Sequence, residues 1–419
     1  MLNRYGDILK DKRIIIFHSG SGTAGGSWRV AAEEAKYFER SGAKVYILVS
    51  DLQHRELLSK TLKANIEAIG GRVLESKSYL RKAIRYPQVV LALRKKIKEI
   101  NPSIIISRNA FQTTYVYFAT LFSPFPYVAH IHETVSWGDE YSPRQGALIY
   151  RKAFKEIKRA SAGCWEFDRT RRKTNLMGRI LSELAAAAEY LAVRKARKIF
   201  VLSNQTGWEV ARLYGRESVV LRGGFPSQML NYQPRENIKE KLGLLAKRVV
   251  LSVSRLTLRK RVALLIEAFK KVSDKFPDVI LIVGGTGPEE NNLRNLAKEL
   301  DAEDKIKFVG YIPEEQLWDY YAGCDLFVSL DRAEFDITPY EALALWKKVV
   351  LSTEMELDGL LAQNRHIFVA EPAVSSVARA VEEALNTEIA DKNDLSDYTW
   401  DAYCEKLTRE LSPFIRGGH

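Results

Sequence analysis

Two cations placed just after an apolar run are the first residues in this chain with the types and spacing for ligand chemistry. Arg255 and Lys260 follow Val249 to Val253, a run typical of a buried strand. Parallel α/β sheets bind ligands at the carboxyl ends of their strands, so both cations are expected at a ligand site. The spacing indicates a site that attracts an anion such as a diphosphate.

A second segment, EFDITPYEALA, reads as the start of a helix. Thr338 supplies a capping hydroxyl, Pro339 suits the first helical position, and Glu341 follows two residues later. The first turn of a helix presents free N–H groups that attract anions. Together with Arg255 and Lys260, this segment predicts binding of a nucleoside diphosphate.

Each of these features also has an alternative interpretation without a ligand. Glu341 could be the return arm of a capping box, and Arg255 and Lys260 could be solvated surface cations. The glycines of the turn GGTGPE, Gly284, Gly285 and Gly287, are more typical of a tight strand-to-helix turn than of direct phosphate contact. These alternatives stay open on sequence alone.

The length and the charge distribution set the frame for these motifs. At 419 residues the chain is too long for one ordinary core, which favours two domains. Residues 1–200 hold 36 Lys and Arg against 18 Asp and Glu, a net charge of +18, whereas the remaining 219 hold 28 against 34, a net charge of −6. One half is therefore basic and the other mildly acidic.

Cysteine usage and the N-terminus favour a reduced, cytoplasmic protein. Cys164, Cys324 and Cys404 are widely scattered and have no metal-ligand spacing to the histidines, and the N-terminus lacks the apolar core of a secretory signal. The stretch between Arg108 and Glu133 has no charged residue, but its prolines favour a buried helix followed by a strand over a membrane span.

Apolar, β-branched runs alternate with amphipathic stretches along the whole chain, which predicts an α/β protein with two doubly wound parallel sheets. The predicted strands are 13–17, 44–49, 103–107, 127–131, 198–202, 249–253, 279–283, 305–309, 325–329 and 349–352. We expect a first domain over residues 1–218 and a second over 219–399, with a C-terminal helix within 400–419 that packs back on the first.

A series of motifs in a fixed order resembles a known family. The second half contains SVSRLTLRK, IVGGTGPE, FVGYIPEEQL, YYAGCDLFVSL and FDITPYEALA, and the first half contains a glycine-rich loop, SGSGTAGGSWRV, followed by YVAHIHE and ARKIFVLSNQT. This order is similar to the nucleotide-sugar-dependent glycosyltransferases of family 4, which have the GT-B fold of two Rossmann-like domains facing across a cleft. Residues 134–185 match the family only loosely.

The resemblance implies a retaining glycosyl transfer, with the donor sugar nucleotide bound mostly by the second domain. By similarity Arg255 and Lys260 bind the donor diphosphate, and Glu341 binds the ribose hydroxyls. His132 would lie beside the transferred sugar, although a histidine at the end of an apolar strand is as readily a satisfied core residue. The remaining donor-binding positions implied by the resemblance are Gly25, Gly26, Gly310, Tyr311, Glu334, Phe335, Asp336, Ile337 and Thr338.

The donor loop departs from the family pattern. Members have two glutamates separated by seven residues, and Ala333 stands where the first is expected, one position before Glu334. Asp336 replaces a usual glycine, so we hypothesise that Glu334 or Asp336 takes over sugar recognition. No Asp-x-Asp triplet occurs, and the motifs therefore require no metal or other cofactor beyond the sugar nucleotide as co-substrate.

The basic first half indicates where the acceptor lies. Residues 144–179 contain 11 Lys and Arg against 3 acids, and residues 81–100 carry basic clusters at both ends of an apolar middle. Such segments suit an anionic membrane face, with a solvated helix surface as the alternative. No nucleic-acid-binding module is recognisable. We therefore expect a peripheral enzyme on the inner face of the cell membrane with a lipid-linked or glycan acceptor.

Three other functions remain open on the sequence. A transferase with a soluble acceptor would share every motif, and a non-catalytic sugar-nucleotide-binding partner of another transferase would fit the altered donor loop. An epimerase of sugar nucleotides shares the two-domain architecture.

Overall fold

The computed structural model describes residues 6–18, 26–49, 65–69, 79–132, 147–160, 176–331, 336–357, 359–390 and 395–415. The chain divides into two compact units, which we call unit 1 and unit 2. Unit 1 comprises Met1–Arg222 together with Trp400–His419, and unit 2 comprises Gly223–Thr399.

Unit 1 is built on a parallel sheet with the strand order β3-β2-β1-β4-β5-β6-β7 among the described residues. Its strands are β1 (Arg13–His18), β2 (Lys44–Val49), β3 (Asn65–Ala68), β4 (Ile104–Arg108), β5 (Tyr127–Ile131), β6 (Ile199–Val201) and β7 (Val219–Val220). Its helices before residue 222 are α1 (Gly6–Leu9), α2 (Gly26–Arg40), α3 (Tyr79–Ile100), α4 (Ala110–Thr120), α5 (Arg151–Ala160), α6 (Leu176–Lys195) and α7 (Asn204–Tyr214).

Unit 2 has a second parallel sheet, with the strand order β10-β9-β8-β11-β12-β13. Its strands are β8 (Arg248–Val253), β9 (Val279–Gly284), β10 (Ile306–Gly310), β11 (Leu326–Ser329), β12 (Lys348–Ser352) and β13 (Ile367–Ala370). Its helices are α8 (Ile238–Lys241), α9 (Val262–Lys275), α10 (Glu290–Glu299), α11 (Glu314–Gly323), α12 (Ile337–Ala344), α13 (Gly359–Ala362) and α14 (Val374–Asn386).

Side chains on both faces of the unit 2 sheet are buried, which explains why its strands read as continuous apolar runs. Val250 and Leu281 belong to one core cluster, whereas their strand neighbours Leu251 and Ile282 belong to another. Alternate residues of a strand point to opposite faces, so each face is covered by its own layer of helices. The prediction of two doubly wound parallel sheets is confirmed.

The C-terminal helix α15 (Trp400–Leu411) belongs to unit 1, where it contacts α2. Arg40 of α2 forms an ion pair with Asp401 of α15, with 2.7 Å between Nη2 and Oδ1. Tyr403, two residues further on, is buried. The end of the chain thereby contributes a side chain to the interior of unit 1.

The uncharged stretch after Arg108 forms α4 and then β5, a helix and a strand as the prolines predict. No helix among the described residues is long and apolar enough to cross a membrane.

The glycine-rich turn after β9 packs directly against the segment that carries Arg255. A Cβ on Gly285 would lie 1.8 Å from the backbone oxygen of Ser254, and one on Gly287 would lie 2.2 Å from that of Leu256. Gly285 also has φ +115°, which side-chain-bearing residues rarely adopt. These glycines are therefore required for close backbone packing beside Arg255.

We expect Gly285→Ala to lower the free energy of unfolding by roughly 3 kcal/mol or more, because backbone strain and overpacking each cost about 1–3 kcal/mol. Gly243→Ala is the matched control, since Gly243 has φ +69° and nothing lies within 4 Å of its added Cβ. That variant should lose only about 1 kcal/mol. Urea unfolding of both variants would measure the difference, and equal losses would contradict the tight packing of the turn.

Candidate functional site

Several of the residues predicted to bind the donor lie at the carboxyl edge of the unit 2 sheet. The strand order reverses between β8 and β11, which pair with each other in parallel, and such a reversal leaves a crevice where ligands bind in open α/β sheets. Arg255 and Lys260 follow β8, and Asp331 and Asp336 follow β11. The two groups therefore approach each other across the reversal point.

Lys260 is held by two carboxylates at this point. Its Nζ lies 2.5 Å from Oδ2 of Asp331 and 3.2 Å from Oδ2 of Asp336. Arg259 adds a second cation, with Nη1 at 2.9 and 3.0 Å from the two oxygens of Asp331. The side chains of Lys260 and Asp331 are only 13% and 1% exposed, so the pairing occurs largely out of water.

The pKa shifts in this cluster reflect a competition between burial and opposite charge. Burial alone would lower the pKa of Lys260, but Asp336 and Asp331 outweigh it and raise the pKa above its usual value. Burial raises the pKa of Asp331 in spite of Lys260 and Arg259, whereas Lys260 overcomes burial at Asp336 and lowers the pKa of that carboxyl. Lys260 therefore stays charged, and its charge is locally neutralised.

The predicted start of the donor-loop helix is wrong by two residues. Helix α12 begins at Ile337, and its N-cap is Asp336, whose Oδ1 accepts a hydrogen bond from the Thr338 backbone N–H at 3.4 Å. Thr338 and Pro339 therefore lie inside the first turn. The physical reason is that a carboxylate caps a helix as well as a hydroxyl does, and Asp336 at the same time accepts a hydrogen bond from Ser329 and pairs with Lys260.

Glu341 is fully buried inside unit 2, and the Tyr321 hydroxyl donates a hydrogen bond to its Oε2 at 3.0 Å. Ile337 is buried beside it on the same helix. Thus α12 places a carboxylate in the interior close to the carboxyl edge of the sheet.

Arg255, Gly310 and Tyr311 take more open positions. The Arg255 side chain is exposed, and among the residues that the structure describes none forms an ion pair with it. Gly310, with φ +69°, accepts a hydrogen bond from the Gly285 N–H at 2.7 Å, and the Tyr311 side chain is 72% exposed. Arg255 follows β8, whereas Gly310 ends β10 on the other side of β9, so these residues share the carboxyl edge of the sheet with Lys260, Asp331 and Asp336.

Three predicted positions, Gly25, Glu334 and Phe335, lie outside the described residues. Gly26 is the first residue of α2.

In unit 1, His132 follows β5 and lies beside the buried residue Arg108. The Arg108 Nη1 is 2.9 Å from Nε2 of His132 and 2.7 Å from Nδ1 of His130. The backbone N–H of His132 donates to Oδ1 of Asn109 at 3.1 Å, and Asn109 has φ +60°. Arg108 ends β4, which pairs with β1 where the strand order of this sheet reverses.

A carboxylate from α2 neutralises Arg108. Glu34 and Arg108 are both fully buried, and Nη2 of the arginine forms an ion pair with Oε2 of the glutamate. The Tyr403 hydroxyl of α15 donates to the other oxygen, Oε1, at 2.6 Å. His18, at the end of β1, stacks on Trp28 with ring centroids 3.9 Å apart.

All three histidines near Arg108 are held neutral. Burial, followed by the Arg108 charge, lowers the pKa of His18 to about 3 and that of His130 well below its usual value. The pKa of His132 is also lowered well below that value, by burial first and then by His130 and Arg108, against an opposing effect of Glu34. None of these imidazole rings is in the charged imidazolium form at neutral pH.

The sequence analysis predicted His132 but missed the Arg108 cluster. A signal was nevertheless present in α2, where Val30, Ala31, Ala35 and Phe38 form the buried face. Glu34 lies on that same face by helical spacing. A carboxylate at a core position requires a buried cation as partner, but the sequence does not say which one.

Two family models match adjoining parts of the chain. One, described as "Glycosyltransferase Family 4", matches residues 24–225, and the other, described as "Glycosyl transferases group 1", matches residues 234–399.

Curated relatives match over shorter stretches. Mannosylfructose-phosphate synthase of Agrobacterium fabrum is 35% identical over 147 residues, which are 33% of this chain and 32% of that protein. Alpha-monoglucosyldiacylglycerol synthase of Streptococcus pneumoniae is 28% identical over 188 residues, 43% of this chain and 42% of that protein. The matches thus span about a third to two fifths of the relatives' length.

Solved structures share the fold over nearly the whole chain. A glycosyltransferase from Rickettsia africae has a TM-score of 0.70 at 18% identity and covers 97% of this chain and 100% of its own. HepE of Anabaena in complex with UDP and glucose has a TM-score of 0.64 at 17% identity and covers 95% of each chain. The two family models together match most of the chain, and the solved structures share its two-sheet architecture. The chain therefore belongs to family 4 of the glycosyltransferases, a family of transferase enzymes with the GT-B fold.

Proposed function

We propose that the protein is a retaining glycosyltransferase that moves a hexose from a nucleoside-diphosphate sugar to a lipid-linked or glycan acceptor. One observation carries the donor half of this proposal. The exposed cation Arg255 lies at the carboxyl edge of the unit 2 sheet, at the end of the strand where the order reverses. The structural relative HepE, solved with UDP and glucose, supports a sugar nucleotide as the ligand.

The chemistry of the transfer accounts for a cation at this place. Breaking the anomeric bond puts negative charge on the departing phosphate, so a fixed cation stabilises the transition state more than the ground state. We assign this role to Arg255, the ribose hydroxyls to Glu341, the base to Gly310 and Tyr311, and the transferred sugar to His132. No metal ion enters the proposal, because the sequence has no Asp-x-Asp triplet.

We propose a structural role for Lys260, whereas the sequence indicated that it binds the donor diphosphate. Its charge is shared between Asp331 and Asp336, so it contributes less attraction to an incoming diphosphate than a solvated lysine would. Asp336, in turn, is occupied as the cap of α12 and as a partner of Lys260 and Ser329. We therefore propose that this pair fixes the start of α12, and that Glu334 keeps the predicted role in sugar recognition.

A surface of unit 1 suits the proposed membrane-bound acceptor. Helix α5 exposes five cations, namely Arg151, Lys152, Lys155, Lys158 and Arg159. Helix α6 exposes Leu176, Ile180 and Leu184, which are spaced by four residues and so share one face. We call these exposed cations and leucine or isoleucine side chains, together with Leu148 and Ile149, the α5–α6 surface.

Leu148 and Ile149 connect the two parts of the α5–α6 surface. They lie in a short 3-10 helix, Leu148–Tyr150, that contacts both α5 and α6, and they are 62% and 43% exposed. The Leu148 N–H donates to the Glu183 carboxylate at 2.9 Å, beside Leu184. Exposed apolar side chains next to a basic helix match the interface of an anionic bilayer. We propose that the protein works as a peripheral enzyme on the inner face of the cell membrane.

The relative alpha-monoglucosyldiacylglycerol synthase, named for a glycolipid, supports the choice of a lipid acceptor.

Arg255→Ala tests the donor site. A thermal-shift screen of UDP-, GDP- and ADP-sugars should find one that stabilises the wild-type chain, because a ligand that binds the folded state raises its stability. We expect the variant to bind that ligand about 10- to 100-fold more weakly, since a charge-assisted hydrogen bond contributes about 1.5–3 kcal/mol. Lys271→Ala, which removes an exposed lysine of α9, is the control. An unchanged shift in Arg255→Ala would remove Arg255 from the site.

Lys260→Ala tests the structural role of the buried pair. The free energy of unfolding at pH 7 should fall by about 3 kcal/mol, because Asp331 and Asp336 lose a cation that keeps them ionised. Without it their folded-state pKa values rise above those of the unfolded chain, so the folded variant binds more protons and its deficit shrinks between pH 7 and pH 5. Urea unfolding at both pH values measures this, and a deficit that grows toward pH 5 would contradict the assignment.

Sedimentation with vesicles tests the α5–α6 surface. Lys152→Ala with Lys155→Ala should weaken binding to phosphatidylglycerol-containing vesicles about 30-fold, because each cation near an anionic surface contributes about 1 kcal/mol. Ile180→Asp with Leu184→Asp should reduce binding further at high salt, where the electrostatic attraction is screened. Lys271→Ala with Lys307→Ala, two exposed lysines of unit 2, is the control. Equal binding by all three double variants would argue against this surface.

A further inference from the structure

Arg108 touches two histidines through a single nitrogen, and this contact has a chemical consequence for His132. The Nη1 group carries two hydrogens, and it lies 2.7 Å from Nδ1 of His130 and 2.9 Å from Nε2 of His132. The other terminal nitrogen, Nη2, forms the ion pair with Glu34. The guanidinium therefore makes one charge pair and two contacts with imidazole nitrogens.

A guanidinium can only donate hydrogen bonds, and it keeps its charge at every pH at which proteins are folded. Each imidazole nitrogen that faces Arg108 must therefore present a lone pair. His130 then carries its proton on Nε2, and His132 carries its proton on Nδ1. In a neutral imidazole the hydrogen bond made by one nitrogen decides where the proton of the ring lies.

Every charged or titratable group packed around this centre is compatible with neutral rings. Glu34 from α2 pairs with Arg108 through Oε2 and accepts a hydrogen bond from Tyr403 at Oε1, and this Oε1 lies 3.6 Å from Nδ1 of His130, beyond hydrogen-bond distance. His18 from β1 is neutral, because burial and then Arg108 lower its pKa to about 3. Tyr403 from α15 stays protonated, because burial and then Glu34 raise its pKa well above the usual value.

We propose that Arg108 is a positioning residue that locks His132 as the neutral tautomer with its proton on Nδ1. His132 then offers a ligand a hydrogen-bond donor, and it can serve neither as a cation nor as a general base. The chemical group that matches such an edge is a neutral oxygen acceptor, such as a sugar hydroxyl. This last step rests on the proposed function, whereas the tautomer itself follows from unit 1 alone.

The test is long-range 1H–15N NMR on the full chain labelled with 15N at histidine. The sequence has six histidines, so single His→Gln variants can assign the signals. The wild-type spectrum should show His132 protonated at Nδ1 and bare at Nε2, with no protonated imidazolium signal for His130 or His132 from pH 8 down to pH 5.5. A wild-type His132 that is protonated at Nε2, or that is charged at pH 6, overturns the proposal.

The variant Arg108→Met with Glu34→Gln removes both charges at once, so no unpaired buried charge is left behind. In this variant His132 should lose the fixed tautomer and titrate closer to the ordinary histidine pKa. Tyr403→Phe is the matched control, because it removes a hydrogen bond to Glu34 and a 3.5 Å contact with His130 but leaves the Arg108 contacts with both rings intact. Unchanged His132 signals in the double variant overturn the proposal, and if that variant does not fold, the wild-type spectrum decides alone.

Addition of the sugar nucleotide selected by thermal shift separates this inference from the proposed function. A change of the His132 Nδ1–H signal on addition supports both the tautomer and the sugar contact. A locked tautomer whose signal does not respond to any bound sugar nucleotide supports the role of Arg108 and overturns the proposed contact with the sugar.

Discussion

In both units a cation is buried at the point of the parallel sheet where the strand order reverses, and carboxylates from neighbouring elements neutralise it. Arg108 pairs with Glu34 in unit 1, and Lys260 pairs with Asp331 and Asp336 in unit 2. An isolated charge in the protein interior costs far more free energy than a folded chain can supply, so neither cation is tolerable without its partners. At each reversal point the buried cation is therefore held in place by its carboxylate partners.

This constraint separates the charges that shape the crevice from those that can act on a ligand. Lys260 and Arg259 face Asp331, and that pairing satisfies the cations before any anion arrives. Arg255, five residues before Lys260 in the same segment, stays exposed at the edge. The same segment thus provides a neutralised cation that holds Asp336 at the start of α12 and one exposed cation at the edge of the sheet. The tight packing of Gly285 and Gly287 fixes the backbone that carries the exposed cation.

The sequence predicted the sheets well because buried parallel strands leave long apolar runs such as Val279–Gly284. It missed β3, β7 and β13, which have only four, two and four residues and include half-exposed positions. Within the site it placed the cap at Thr338 because a hydroxyl before a proline is a common helix start, but the decisive contact of Asp336 is with Lys260, 76 residues away. Contacts over such separations leave no local pattern.

The Arg108 cluster shows the same limit more strongly. Glu34 lies 74 residues from Arg108 and 369 residues from Tyr403, so only the folded chain brings the three together. The position of Glu34 on the apolar face of α2 did indicate that a buried partner must exist, and the run of isoleucines before Arg108 placed that arginine at the end of a strand. The sequence could not show that Glu34 and Arg108 are each other's partners.

The neutralised reversal points also bear on the net charge of +18 carried by residues 1–200. Arg108 is the arginine at the reversal point of unit 1, and Glu34 cancels its charge, so this point does not account for the excess. Helix α5, by contrast, exposes five cations. Cations on an exposed helix act on large, anionic surfaces more than on one small substrate. The exposed cations of α5 are therefore explained more economically by the proposed membrane contact of the α5–α6 surface than by donor binding.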